Sequence, residues 1–306
     1  MKIINVSQAT ETEAWLDERM GRITGTKSGG LALEHYAHTD VEKLVEYRDK
    51  ALEQAKKAKT PEKANEYYAK AQGYDIRITE AEAKNKRLKV GVEFWKFLAE
   101  LWAEPADGEP PMERGHRLEP ENIQITLQIT LKTLGFNPGD CVTDCGIWES
   151  DDDDRIACSP DAYEDSEKPT WAIECKSLGS AYHLQTVVPW MMHTDAMRSH
   201  IANLKPELVD VIEQVLPEYT LDGKATGFDF IPDQYKSQVL QYFVVCDSLE
   251  VLFFSMFDPR VVGEANHQVI PVYRKDITEK IEEHKSRQLA TLHISDVLAD
   301  ALGVTF

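Results

Sequence analysis

No run of apolar residues in the 306-residue chain approaches the roughly 18 needed to cross a bilayer as a helix. The opening segment MKIINVSQATETEAW lacks the apolar stretch of a secretory signal, so a cytoplasmic protein with no membrane partner is expected. Cysteine is scarce: Cys141, Cys145, Cys158, Cys175 and Cys246 are an odd set in a chain too large to need disulfide staples. Cys141 and Cys145 form the one close pair, no second Cys or His pair completes a zinc site, and Cys246 alone follows Cys175, too few for an iron–sulfur cluster. Reduced thiols packed as small hydrophobes are expected instead. Internal repeats and low-complexity tails are absent as well. Positive charge is also short, with 34 Lys+Arg against 53 Asp+Glu for a net charge of −19, a balance that disfavours polyanions. A hydrophobic content of 42% nevertheless supports a sizeable core and excludes a wholly disordered acidic chain.

The charge is unevenly placed. Residues 41–89 carry 13 Lys+Arg and 9 Asp+Glu, a net of +4, which leaves −23 on the remainder. This segment is rich in helix formers, and Thr60-Pro61-Glu62 reads as an N-cap followed by Pro at the first helical position. Helices are expected over 41–58 and 61–89, then over the apolar-periodic stretch from Val92 to Trp102, and again over 113–134, where Gly135 supplies a stop. The period then changes to that of strands at 141–149, 155–158 and 170–177. Helical stretches at 180–195, 205–216 and 232–246, strands at 251–257 and 268–273, and a closing helix near 276–292 complete the reading. The order predicts an α/β (α+β) fold with helical insertions. Lys84, Lys86, Arg87 and Lys89 have two readings, as phosphate contacts at a duplex entrance or as a solvated face paired with nearby Glu residues.

The chemistry concentrates in Ser159-Pro160-Asp161 and Ile173-Glu174-Cys175-Lys176. On a strand, Glu174 and Lys176 project to one face while Ile173 and Cys175 face the core, and a turn brings Asp161 back beside them. Two carboxylates converging beside a lysine suit a hard divalent cation, Mg²⁺ with Mn²⁺ as the alternative, that keeps several waters. Such a site hydrolyses phosphodiesters. Glu82-Ala83-Lys84, with Asp75 upstream, shows that the same pattern arises by composition, but its helical setting does not put residues two apart on one face.

Six short motifs in order carry a resemblance. Trp15-Leu16-Asp17-Glu18-Arg19-Met20-Gly21-Arg22-Ile23-Thr24-Gly25-Thr26, Gly115-His116-Arg117-Leu118-Glu119-Pro120, Ala157-Cys158-Ser159-Pro160-Asp161, Glu174-Cys175-Lys176, Gln238-Val239-Leu240-Gln241-Tyr242 and Phe257-Asp258-Pro259-Arg260 succeed one another. Together they resemble phage lambda exonuclease and the YqaJ-type viral recombinases, the alkaline exonucleases of the PD-(D/E)xK superfamily. The resemblance implies one nuclease domain over 1–306 with a restriction-endonuclease-like core, a central mixed sheet flanked by helices. Segments 36–104 and 195–231 would be insertions and 274–306 a C-terminal helical segment.

The activity it implies is a 5′→3′ exonuclease on 5′-phosphorylated ends of linear double-stranded DNA. It would work as a homotrimeric ring beside a single-strand annealing recombinase, in phage-type DNA recombination. Asp161 and Glu174 would ligate metal, with the Cys175 carbonyl as a further ligand, and Lys176 would be general base or water-positioning group. Glu119 would serve a second metal or the attacking water, and Asp151 would stand behind the ligands. Arg19 matches the position that captures the 5′-phosphate, with Thr26 and Ser159 as hydroxyl donors, while Gln238 would orient a group at the site. The chain departs from the family in carrying Ala162 after the acidic residue, where Gly is usual, Ser177-Leu178 after the lysine, and Thr26 where Ser is common. An endonuclease built on the same core and a catalytically inactive acidic scaffold or nucleic-acid-binding protein are the alternatives. Intact Asp161, Glu174 and Lys176 argue against the second.

Overall fold

The computed structural model describes residues 39–85, 91–105, 108–131, 141–143, 145–194, 199–200, 203 and 224–302. Arg19, Thr26, Lys86, Arg87, Lys89 and the helix expected over 205–216 lie outside the described residues. The chain divides into two compact units, one of Ile23–Phe94 and Ser199–Leu216, the other of Met1–Arg22, Trp95–Arg198 and Pro217–Phe306.

In the first unit, α1 (Val41–Lys57) and α2 (Pro61–Asn85) form a helical hairpin. Asp40 caps α1 by accepting the Lys43 N–H at 3.0 Å, and Thr60 accepts from Lys63 N–H at the start of α2 at 3.4 Å. Leu44, Ile78 and Ala81 form the seam, with Val41, Val45 and Tyr74 packed against it. The open end is tied by the Asn85 amide, which accepts the Thr39 N–H at 2.8 Å and donates to its carbonyl at 2.9 Å. Glu82, Lys84 and Asp75 all lie on α2, so that second acidic pattern is indeed helical. Asp75 is engaged there by Arg48 at 3.4 Å.

After α3 (Val92–Trp102), the second unit is built on a mixed five-stranded sheet with helices on both faces, the α/β (α+β) architecture expected. Its strands are β1 (Cys141–Val142), β4 (Ala162–Glu164), β5 (Trp171–Lys176), β6 (Val251–Phe257) and β7 (His267–Tyr273), in the order β1-β4-β5-β6-β7. Among the described strands only β5 and β6 pair in parallel, and a long crossover joins them that includes α5 (Ser180–His193), the short α6 (Gly227–Phe230) and α7 (Asp233–Val245). Every residue of β6 is buried, as a central strand covered on both faces requires. A separate ribbon pairs β2 (Trp148–Glu149) with β3 (Ala157–Cys158), so the strand expected over 141–149 is two short strands in different sheets.

Alternation along β5 divides its neighbours. Trp171 and Ile173 join Ile123 of α4 (Pro111–Ile125), Ala162, Val251 and Phe253 in one apolar cluster, with Cys175 packed against it. Ala172, Glu174 and Lys176 face the opposite side, where α7 lies, its Tyr235 ring 5.9 Å from Phe254. Near its end α4 passes into a π-helical turn, Thr126–Leu131, rather than continuing as a regular helix. There Thr126 turns its hydroxyl back onto the Asn122 carbonyl at 2.8 Å and meets the Ser255 hydroxyl at 2.7 Å, while Asn122 Oδ1 accepts from Ser255 at 2.6 Å. His267 Nε2 closes this buried polar knot 3.2 Å from both hydroxyls. At α6, Gly227 is required by close approach, since a Cβ there would sit 2.0 Å from the Pro271 carbonyl oxygen. The closing helix α8 (Arg274–Leu302) runs ten residues beyond the expected end, and no helix among the described residues is long and apolar enough to cross a membrane.

Candidate active site

Asp161 enters β4 directly opposite β5. Its N–H donates to the Ile173 carbonyl at 3.1 Å, and its Oδ2 accepts the Cys175 N–H at 2.6 Å, so both backbone and carboxylate are pinned to the strand that carries Glu174 and Lys176. Glu174 is 2% exposed and fully engaged. Its Oε1 accepts from Gln238 Nε2 at 2.8 Å and from the Lys176 ammonium, and its Oε2 accepts the Tyr242 hydroxyl. Gln238 also donates to the Tyr242 oxygen at 3.2 Å; the two lie four residues apart on α7 and therefore share the face turned to Glu174. Lys176 Nζ also stands 5.1 Å from the Tyr235 ring centroid.

Half-buried Glu119 projects from α4 into a cleft of about 640 Å³ whose walls include Arg114, Gly115, Cys175, Lys176 and Tyr235. Helix α4 continues through Pro120, although a proline there takes away the donor to the His116 carbonyl one turn back. The structure thus brings Asp161, Glu174, Cys175, Lys176, Gln238 and Glu119 to one end of β5. Ser159 lies close by, its hydroxyl donating to the Gly146 carbonyl at 3.0 Å and its own carbonyl 3.1 Å from the Tyr242 oxygen. Asp151 is exposed on the β2–β3 connection, and no hydrogen bond among the described residues links it to the cluster. Ala162 fits without strain, because no described non-glycine residue has positive φ and its side chain is fully buried in the apolar cluster.

Burial first, then the charges of Glu174 and Glu119, push the Asp161 carboxyl up to about 7, opposed by the Cys175 N–H and Lys176. For Lys176 burial alone favours the neutral amine, but the charge and hydrogen bond of Glu174, with help from Asp161, outweigh it and raise the pKa, so the ammonium is retained at neutral pH. Burial likewise raises the thiols of Cys158, to about 12, and Cys175, and both stay protonated. All five cysteines are half-buried.

Among the described residues no group of three or more His, Cys, Asp or Glu side chains could hold a metal by itself. That donor set fits a cation that needs one or two carboxylates and keeps water and substrate oxygens as its other ligands. Three donors already occupy Glu174, whereas Asp161 accepts one backbone N–H and keeps free lone pairs beside two other acids. A divalent cation there would offset the crowding that raises Asp161.

Two solved structures resemble the chain, both of LHK-Exo. One is its complex with dAMP, at 16% identity over 95% of this chain and 98% of that one, with a TM-score of 0.38. The other, from Laribacter hongkongensis, also has 16% identity, over 96% and 100%, with a TM-score of 0.36. The chain is similar to an alkaline exonuclease. No family model and no curated protein matches the chain.

Motif reading alone gave no role to Tyr242, Tyr235 or Arg114. The four-residue spacing from Gln238 was the available sign for Tyr242. Nothing local marks Arg114, which comes to the cleft only because α4 covers the end of β5.

Proposed function

We propose that the chain is a metal-dependent nuclease, a 5′→3′ exonuclease that degrades one strand of linear double-stranded DNA from 5′-phosphorylated ends and leaves 3′ tails for strand annealing. One observation carries the nuclease reading: Asp161, Glu174 and Lys176 converge at the end of one strand, beside a cleft that Glu119 enters. Asp161, Glu174 and the Cys175 carbonyl would hold Mg²⁺ or Mn²⁺, with Glu119 available to a second ion or to the attacking water. The cation, when bound, polarises the scissile phosphate and lowers the pKa of its water.

The chain's own groups do the positioning. Gln238 and Tyr242 fix the Glu174 carboxylate from α7, and the Cys175 N–H fixes Asp161. Lys176 keeps its proton, which suits it to orient water and offset charge on the phosphate rather than to act as base. Polarity, the preference for 5′-phosphate through Arg19 and Thr26, the homotrimeric ring and the annealing partner rest on the motif resemblance. Digestion of a linear duplex labelled at each end, with and without Mg²⁺ and with and without 5′-phosphate, tests the reading. Metal-dependent release of 5′ mononucleotides from phosphorylated ends is expected. Cleavage of closed circles would instead favour an endonuclease, and no cleavage with either metal would remove the nuclease.

A further inference from the structure

Arg114 is 7% exposed, yet among the described residues its guanidinium has one hydrogen bond, from Nη2 to the Ser177 carbonyl at 3.2 Å. Among the described residues its buried Nε has no partner, and no carboxylate pairs with the guanidinium. Glu119, which shares the cleft wall, is not its counter-ion. A cation taken out of water with most of its fork unmade is costly unless an anion completes it.

Beside its acids, the cleft offers other groups that bind anions. Arg114 and Lys176 both line the 640 Å³ cleft, and so do Met112 and Tyr182 from the first turns of α4 and α5. Those helices are 15 and 14 residues long, and neither N-terminus has a side-chain cap: the N-cap residues are Pro110 and Gly179. Uncapped first-turn N–H groups and the helix dipole both favour negative charge.

We propose that Arg114 is a phosphate-binding residue, holding a backbone phosphate of the bound strand in this cleft between its guanidinium and the N-termini of α4 and α5. The identity of that phosphate as nucleic acid rests on the nuclease reading. The competing role is a brace between α4 and the β5–α5 connection through the Ser177 carbonyl, which a neutral donor would serve equally well.

Arg114→Gln keeps an N–H for that carbonyl and removes the charge. Binding of a 5′-phosphorylated duplex is measured against salt in the Lys176→Ala background, so that the strand is not consumed. The slope of log affinity on log salt is expected to fall by about 0.9, the contribution of one phosphate contact. A lower melting temperature with an unchanged slope identifies a brace and overturns the proposal. If the Gln variant does not fold, Arg114→Lys serves. Retaining the cation but losing the fork, it is expected to bind about tenfold more weakly at an unchanged slope, and wild-type affinity overturns the proposal. Cleavage of the linear duplex by the unaltered chain separates the two readings. A reduced slope without cleavage supports the Arg114 contact and removes the nuclease, whereas cleavage with an unchanged slope removes Arg114 alone.

Discussion

Glu174→Gln preserves the shape of the side chain but removes the charge that Lys176 faces in the interior. The Glu174 and Lys176 side chains are 2% and 19% exposed, so solvent screens their attraction little. Breaking a buried pair by removing one partner costs about 3–5 kcal/mol, because the other charge is left uncompensated. The lower end applies, since the amide oxygen still accepts a hydrogen bond and part of Lys176 reaches water. A loss of about 3 kcal/mol is expected, which a domain of typical stability, about 5–15 kcal/mol, survives folded. Lys176→Met leaves Glu174 with Gln238 and Tyr242 as donors and is expected to cost about 2 kcal/mol. The double variant buries no unpaired charge at this pair, so it should lose about 2 kcal/mol less than the sum of the single losses. Urea unfolding in EDTA measures all four proteins. Additivity within about 0.5 kcal/mol would refute the pairing. Cleavage is expected to vanish in all three variants, so stability and not activity discriminates.

Burial first, then the charge of His183, lowers His267 to about 4. Because its folded pKa lies below its ordinary value of about 6.5, its contribution to stability is complete above about pH 6.5 and is lost as pH falls towards 4, at most about 3 kcal/mol. His267→Gln should therefore flatten the fall in urea midpoint between pH 7 and 4.5, and an undiminished fall would place the acid sensitivity elsewhere. Gly227→Ala puts a methyl 2.0 Å from a backbone oxygen and should cost about 2–3 kcal/mol, read as a lowered melting temperature. Gly115→Ala meets no atom within 4 Å and should stabilise α4 by about 0.5–1 kcal/mol, read the same way. EDTA should abolish cleavage of linear duplex and added Mg²⁺ or Mn²⁺ restore it; persistence in EDTA would count against the metal.

Period and punctuation predicted the elements that bury one face. Helices α1 to α3 and α7, with β5 and β6, fall within a few residues of expectation because apolar spacing or an uninterrupted apolar run defines them. Where a long-range contact decides, the sequence was silent. Strand β4 is three residues long and exists because Asp161 docks on β5. The π turn follows from Thr126 meeting Asn122 and Ser255, the latter over a hundred positions away. Helix α8 continues past its expected end through Ile294, Val297, Leu298 and Leu302, which recur at helical spacing but are all exposed. The acidic pair and lysine were legible through strand alternation. Their donors Gln238 and Tyr242 were visible as a helical pair, but what that pair holds became clear only when α7 packed on the β5 face.

The net charge of −19 bears on this site less than its size suggests. At physiological ionic strength charges beyond about 8 Å are largely screened, so a phosphate entering the cleft responds mainly to Arg114, Lys176 and Glu119 in its walls and to Glu174 and Asp161, which contact Lys176 and the Cys175 N–H. Several acids of this unit are already matched by bases: Asp152 by Lys285, and Asp153 and Asp296 by Arg155. On the proposed reading Arg114, the two helix N-termini and a bound cation would offset those acids for one or two phosphates, while the acidic surface as a whole repels a long duplex that presents no end to the cleft. The excess acid is therefore compatible with a nucleic-acid substrate. If the chain acts on ends as proposed, this acidity would keep loose binding low, and a closed circle is then expected to bind weakly at moderate salt.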